Sequence, residues 1–194
     1  RRGPPLPAPL GARVGRFCAA SLAARGHDVD VIDPLDDEAR LELLERPHFA
    51  YASGRAPPRL DKLARTLAAA DAYVMVTPEY NHSPSPALCN TLNHFGSSVF
   101  AFKPSAIVAY SAGQWGGARA AHALQPFLGE LGCLPVSAKV LLPKAHEALD
   151  DDGKWRQDAA RWDAYAARCW SQLEWWAHAA RERRAHADPF AASP

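Results

Sequence analysis

The sequence predicts an α/β fold, a doubly wound parallel sheet with helices on both faces, and three observations carry that prediction. Two short, continuous apolar runs, "AYVMVT" (72–77) and "PSAIVAY" (104–110), suit strands buried on both faces. Segments with helical apolar spacing alternate with these runs. Turns rich in Pro or Gly follow both runs, where open α/β sheets carry their ligand sites.

The elements follow in order. "GPPLPAP" (3–9) is too rich in proline for a helix interior. Residues 10–26 read as a helix, with Val14, Phe17, Cys18, Ser21 and Leu22 in helical register and Gly26 as its stop. "HDVDVIDP" (27–34) reads as a short strand ended by Pro34. Residues 35–58 are polar and Pro-rich, with a helical turn in "DDEARLELLER". A helix over 59–71 leads into the strand at 72–77. Ser85 is suited to cap the next helix and Pro86 to open it; Leu88, Leu92 and Phe95 form its apolar stripe, and Gly96 ends it. The strand at 104–110 runs through "SAGQWGG" (111–117) into a helix bent by Pro126. A last strand is expected over 135–142 and a long helix over 157–184. On that helix Trp162, Ala166, Cys169, Leu173, Trp176 and Ala180 share one face, while Trp170 and Trp175 either widen it or meet another subunit.

The whole of 1–194 is expected to be one domain, with a Pro-rich start (1–9) and a loose tail (185–194). Its length suffices for a real core, and 48% hydrophobic residues argue for a globular chain. No strand precedes the first helix, although such a sheet normally opens with a central one. The chain begins on Arg1 and not on Met, so upstream residues are expected. Without a first strand, 29–33 should lack a neighbour and bare apolar surface.

Lys and Arg (22) balance Asp and Glu (21), which gives no support to a nucleic-acid or membrane-surface partner. No apolar run approaches the ~20 residues of a membrane span, and no secretory signal opens the chain. Cys18, Cys89, Cys133 and Cys169 lie far apart, with no CxxC and no zinc pattern. Free buried thiols, no metal and a cytoplasmic location are the expectation.

Chemistry is expected in two loops. In "TPEYNHSP" (77–84), Pro78 sets the turn, Tyr80 offers a flat face and Asn81 an amide, and the following helix presents free N–H groups. In "YSAGQWGG" (110–117), Gly113, Gly116 and Gly117 permit close backbone approach, and Trp115 is able to cover what binds. No GxGxxG and no GxxxxGK[ST] occurs. "AYSAG" (109–113) comes near a nucleophile elbow, with Asp150, Asp151 or Asp152 and His178 in hydrolase order. Gly-rich sequence after Ser111 and a mid-helix His178 argue against that reading.

"VTPEYNHSPSPALCNTLNHF" and "KPSAIVAYSAGQWGGARAAHALQPFLGELG" resemble the NADPH-dependent FMN reductase family, of flavodoxin-like fold. The resemblance runs from about residue 10 to 142. It implies FMN as cofactor and NADPH or NADH as electron donor. Pro78, Glu79, Tyr80, Asn81 and His82 would line the flavin ring, and Ser111, Gly113, Gly116 and Gly117 would meet its other side. Tyr80 and His82 would face the acceptor. Arg2 (or Arg1) would stand for the arginine of the family's phosphate motif, whose strand, Gly and Ser have no counterpart here. The implied activity is ping-pong electron transfer to a small-molecule acceptor: a quinone, azo compound, metal ion or second flavin. The resemblance also implies a homo-oligomer, dimer or tetramer. A flavodoxin-like binding or regulatory module without catalysis, or a truncated chain, is the alternative.

Overall fold

A computed structural model of the chain describes residues 8–191. At its centre is a parallel sheet. Strand β1 (Tyr73–Pro78) pairs with β2 (Pro104–Tyr110) along its whole length, Tyr73 opposite Ser105 and Pro78 opposite Tyr110. On its other side β2 pairs first with β3 (Leu134–Pro135) and then with β4 (Val140–Leu142), both parallel. Every residue of β2 is buried, as its central position and unbroken apolar sequence require.

Helices cover both faces. α1 (Leu10–Ala23), the short α6 (Ala145–Ala148) and α7 (Ala159–His186) build one core layer. There Val14, Phe17 and Leu22 meet Ala106 and Val108 of β2 and Ala166, Cys169 and Trp170 of α7. α2 (Pro58–Ala69), α3 (Pro86–Asn93), the short α4 (Ser97–Phe100) and α5 (Ala118–Glu130) build the other. There Leu60, Leu63, Phe95, Phe100, Leu124 and Leu128 pack on Tyr73, Met75, Ile107 and Ala109. The strands' alternating faces divide the core in two, the arrangement of a doubly wound sheet.

Three expectations are corrected. Residues 27–34 form no strand: Val31 stays 64% exposed, and only Ile32 of this stretch joins a core layer. A strand needs a ladder partner, and among the described residues the outer edge of β1 is unpaired. The strand expected over 135–142 is split in two. At the break, α7 takes over the hydrogen bonds: Gln172 Oε1 accepts from Ala138 N–H (2.9 Å), and Ala138 C=O accepts from Cys169 Sγ (3.1 Å). These contacts, with Tyr165 O–H accepting from Leu141 N–H, cover this edge of the sheet. On α7, finally, the buried residues are Ala166, Cys169, Trp170 and Leu173, while Trp175 (70%) and Trp176 (45%) face solvent.

Trp170 is the largest wholly buried side chain, and its indole N–H donates to Ser21 Oγ at 3.0 Å, satisfying the ring's one polar group. No disulfide forms, and burial pushes the thiols of Cys133 up to about 11 and Cys169 up to about 12.

Candidate active site

The two loops singled out in the sequence leave the carboxyl ends of adjacent parallel strands. Glu79 N–H donates to Tyr110 C=O (3.2 Å) and Ser111 N–H to Leu142 C=O (3.1 Å), so the ladders carry a step beyond β1 and β2. The loops therefore start side by side on rigid backbone.

The first loop is a tight turn. Tyr80 N–H donates to Ser83 C=O (3.0 Å) and Ser83 N–H to Tyr80 C=O (2.9 Å), and Asn81 and His82 between them have φ of 50° and 63°. Two successive positive φ values in a two-residue hairpin define a type I′ turn. Asn tolerates this conformation well; His at the position that favours Gly stores strain, of the order of 1 kcal/mol. The turn leaves Tyr80 58% exposed, with Asn81 and His82 also in solvent. Behind it Thr77, fully buried, donates from Oγ1 to Pro78 C=O (2.9 Å) and accepts from Ser85 N–H (3.0 Å). Ser85 in turn caps α3, its Oγ accepting from Leu88 N–H at 3.2 Å.

The second loop is held on both sides. Lys144 N–H donates to Gly113 C=O and Ala145 N–H to Ser111 C=O, each at 3.0 Å. Ser111 Oγ donates to Gly113 C=O at 3.0 Å. Gly116 and Gly117 are buried, with φ of 60° and 78°. A Cβ at Gly116 would lie 2.9 Å from Pro143 N, and one at Gly117 2.8 Å from Tyr110 N. Both must be glycine for the loop to lie this close to the strand ends. Trp115, just ahead of them, is 62% exposed and lines a 170 Å³ cavity with Ala118 and Arg119.

Glu79 joins the loops. Its carboxylate accepts from Arg119 Nε (2.6 Å), Arg119 N–H (3.1 Å) and Ala120 N–H (3.4 Å), and its side chain is 7% exposed. Burial opposes its charge, but the bonds from Arg119 and the α5 backbone outweigh this and hold the carboxyl below its usual range.

The structure thus gathers Pro78, Glu79, Tyr80, Asn81, His82, Ser111, Gly113, Gly116 and Gly117 at one end of the sheet. Arg2 lies outside the described residues. Sequence reasoning missed Thr77 as an anchor, and also Tyr110, Gly11 and Arg119. α1 begins beside Tyr110, for a Cβ on Gly11 would come within 2.8 Å of Tyr110 OH. Burial, with the charges of Tyr80 and Asp33 nearby, pushes the Tyr110 phenol up to about 12. Only Arg119 left a readable signal, as the first cation after Gly116-Gly117 and the natural partner for a buried Glu79. The hydrolase arrangement does not form. Ser111 Oγ bonds Gly113 C=O and no histidine, and Asp150 Oδ1 accepts from its own loop at Asp152 and Lys154. Among the described residues no cluster of three His, Cys, Asp or Glu is able to hold a metal, and no helix is long and apolar enough to cross a membrane.

A parallel sheet with helices on both faces and two clasped loops at its carboxyl edge defines a flavodoxin-like protein. The model of the NADPH-dependent FMN reductase family matches residues 9–147, and the chain belongs to that family, whose cofactor is FMN and whose electron donor is NAD(P)H. An NAD(P)H-dependent FMN reductase of Pseudomonas aeruginosa is 36% identical over 115 residues, 57% of this chain and 62% of its own length. An NADPH azoreductase of Bacillus sp. is 35% identical over 98 residues, 50% of this chain and 53% of its own. A quinone reductase of Pseudomonas putida is 34% identical over 106 residues, 51% of this chain and 56% of its own. The chain spans between 53% and 62% of the length of these relatives. The flavoenzyme NAD(P)H:(acceptor) oxidoreductase FerB from Paracoccus denitrificans superposes with a TM-score of 0.69 at 19% identity, over 86% of this chain and 90% of its own, a likeness of fold.

The ring side of the site fits FMN. Gly116 and Gly117 have no room for a Cβ, which keeps the backbone close to the strand ends, and the I′ turn offers an aromatic face and an amide across from it.

Proposed function

We propose that this chain binds FMN between the 77–83 turn and the 111–117 loop and works as an NAD(P)H-dependent oxidoreductase. The observation that supports the reading best is the pair of loops at the carboxyl ends of adjacent parallel strands: one closed by a strained I′ turn, the other drawn in by two glycines without space for a side chain. In open α/β sheets such a crevice is where ligands bind.

FMN, when bound, supplies the hydride and electron chemistry; the protein supplies position and environment. Tyr80 offers its ring to one edge of the isoalloxazine and the Asn81 amide a donor and an acceptor for the polar edge. The backbone at Ser111, Gly113, Gly116 and Gly117 approaches the other side. His82 and Tyr80, both exposed, face the place where nicotinamide and acceptor bind in turn. Such exchange needs one open ring face, so the mechanism is ping-pong. The acceptor class is a quinone, an azo compound, a metal ion or a second flavin. Arg2 is the candidate for the phosphate end.

Titrating the purified protein with FMN, following flavin fluorescence, tests the binding step. Saturable binding near one equivalent is expected, and its absence would refute the reading. Parallel double-reciprocal plots with NADPH and a quinone test the ping-pong order; intersecting lines would count against it. The exposed Trp175 and Trp176 support a homo-oligomer formed through α7, with a monomeric mass by light scattering as the refuting result. A cytoplasmic location accords with the four unpaired cysteines. One observation favours a second reading, a binding module without catalysis: 27–33 forms no strand, and β1 has an open edge among the described residues. Failure to bind FMN would favour it.

A further inference from the structure

Glu79 directly precedes the Tyr80–Ser83 turn, but its carboxylate does not follow that turn into solvent. It is directed at the first turn of α5, where it meets Arg119 and Ala120. A helix start leaves N–H groups without intrahelical partners, and a side chain at the N-cap normally takes one or two of them. The N-cap of α5 is Gly117, which has no side chain to offer. Glu79, 40 residues earlier in the chain, fills that role from the neighbouring loop. Its second oxygen pairs with the guanidinium of Arg119, Nε at 2.6 Å and Nη2 at 2.5 Å.

Charge-assisted bonds of this kind are the strong ones; the Glu79 side chain is 7% exposed and that of Arg119 45%, so solvent screens the pair from the arginine side. The set also has a direction. The N-terminal end of a helix favours an anion, so the carboxylate belongs on the turn and the cation on the helix, not the reverse.

We propose that Glu79 is a positioning residue: it clamps the Tyr80–Ser83 turn onto the start of α5, and so sets the spacing of the two loops without touching the ring itself. The inference rests on the FMN reading for its functional consequence, but the clamp is a property of the apoprotein. Glu79 is accordingly neither a proton carrier nor a ring contact. The strained I′ turn keeps its shape because its first residue follows directly on this anchor.

The test uses Glu79→Ala, Glu79→Gln and the swap Glu79→Arg with Arg119→Glu. Three quantities are read: FMN affinity, thermal unfolding of the apoprotein, and hydrogen exchange at the Tyr80, Ser83 and Ala120 amides. Loss of pre-organisation in Glu79→Ala should weaken FMN about tenfold or more and speed exchange at all three amides. Glu79→Gln keeps an acceptor of the same shape and should lie between Ala and wild type, with the acid limb of its pH–rate profile unmoved. The swap should stay as weak as Ala, because an arginine would then face the helix N–H groups.

Wild-type FMN affinity in Glu79→Ala, wild-type exchange at Tyr80 and Ser83, or rescue by the swap would each overturn the clamp while leaving the flavin reading standing. Should the wild type itself bind no FMN, that reading falls, and the exchange data alone decide the clamp. If Glu79→Ala does not fold, Glu79→Gln takes its place: faster exchange at Tyr80 and Ser83 supports the clamp, and unchanged exchange overturns it.

Discussion

Replacing Gly117 with alanine should be among the most damaging single-methyl changes in this protein. Gly117 has φ 78° and ψ 20°, in the left-handed region. An L-residue there costs about 1–2 kcal/mol. The added Cβ would also lie 2.8 Å from Ala109 Cβ, 2.8 Å from Tyr110 N and 3.1 Å from Ala109 C. Two of these atoms belong to the backbone of the central strand, which has no room to retreat, so overpacking adds roughly 1–3 kcal/mol. The sum is about 2–5 kcal/mol, against the roughly 5–15 kcal/mol by which an ordinary domain is stable. For a chain of this length it corresponds to a fall in Tm of roughly 4–20 °C. Urea unfolding of the apoprotein measures it directly. Two internal controls isolate the cause. Gly113 has no close neighbour for a Cβ except Ser111 Oγ at 4.0 Å, so Gly113→Ala should leave stability nearly unchanged. Gly129, inside α5, has nothing within 4 Å, so Gly129→Ala should stabilise by about 0.5–1 kcal/mol. A Gly117→Ala protein with wild-type stability and wild-type FMN affinity would refute the close approach on which the site depends.

Other expectations concern the core, the charge network and the turn. Trp170→Ala, which removes a wholly buried ring and its bond to Ser21, should cost about 3–5 kcal/mol in urea unfolding; Trp170→Phe should cost less. Hydrogen bonds from Arg25, opposed by burial and joined by His27, lower the Glu174 carboxyl from 4.5 to about 2. Because the folded value lies below the unfolded one, the stabilisation is complete above about pH 5 and disappears as pH falls toward 2. Solvent reaches part of this cluster and screens it, so Glu174→Gln should lose about 1–2 kcal/mol at pH 7 and match the wild type near pH 2, by urea titration at each pH. His82→Gly relieves a left-handed φ of 63° and should raise stability by up to about 1 kcal/mol. If His82 faces the acceptor, the same change lowers kcat/KM for the acceptor; a variant with unchanged kinetics would remove His82 from that role.

The amino-acid order alone determined the elements whose cause is local. β2 is a continuous apolar run and is buried at every position. Ser85-Pro86 opens α3 because a side-chain acceptor and a fixed φ suffice for that. The glycines at 116 and 117 are legible because close backbone approach requires residues without a Cβ, whereas Pro78 ends β1 and the turn itself falls at Asn81-His82. Where the cause lies far along the chain, tertiary structure decided. Residues 27–34 have strand-like composition, but a strand exists only where a neighbour completes its ladder, and among the described residues none does. The run at 135–142 reads as one strand and is two, because Gln172 and Cys169 of α7 take the hydrogen bonds of Ala138. Glu79 has the composition of a hydrogen-bonding acid, but that its partners are Arg119 and the first turn of α5, 40 residues on, is set by the fold. Local sequence sets which conformations a segment favours. Which groups satisfy its buried polar atoms is set by contacts across the fold, and no spacing rule along the chain encodes those.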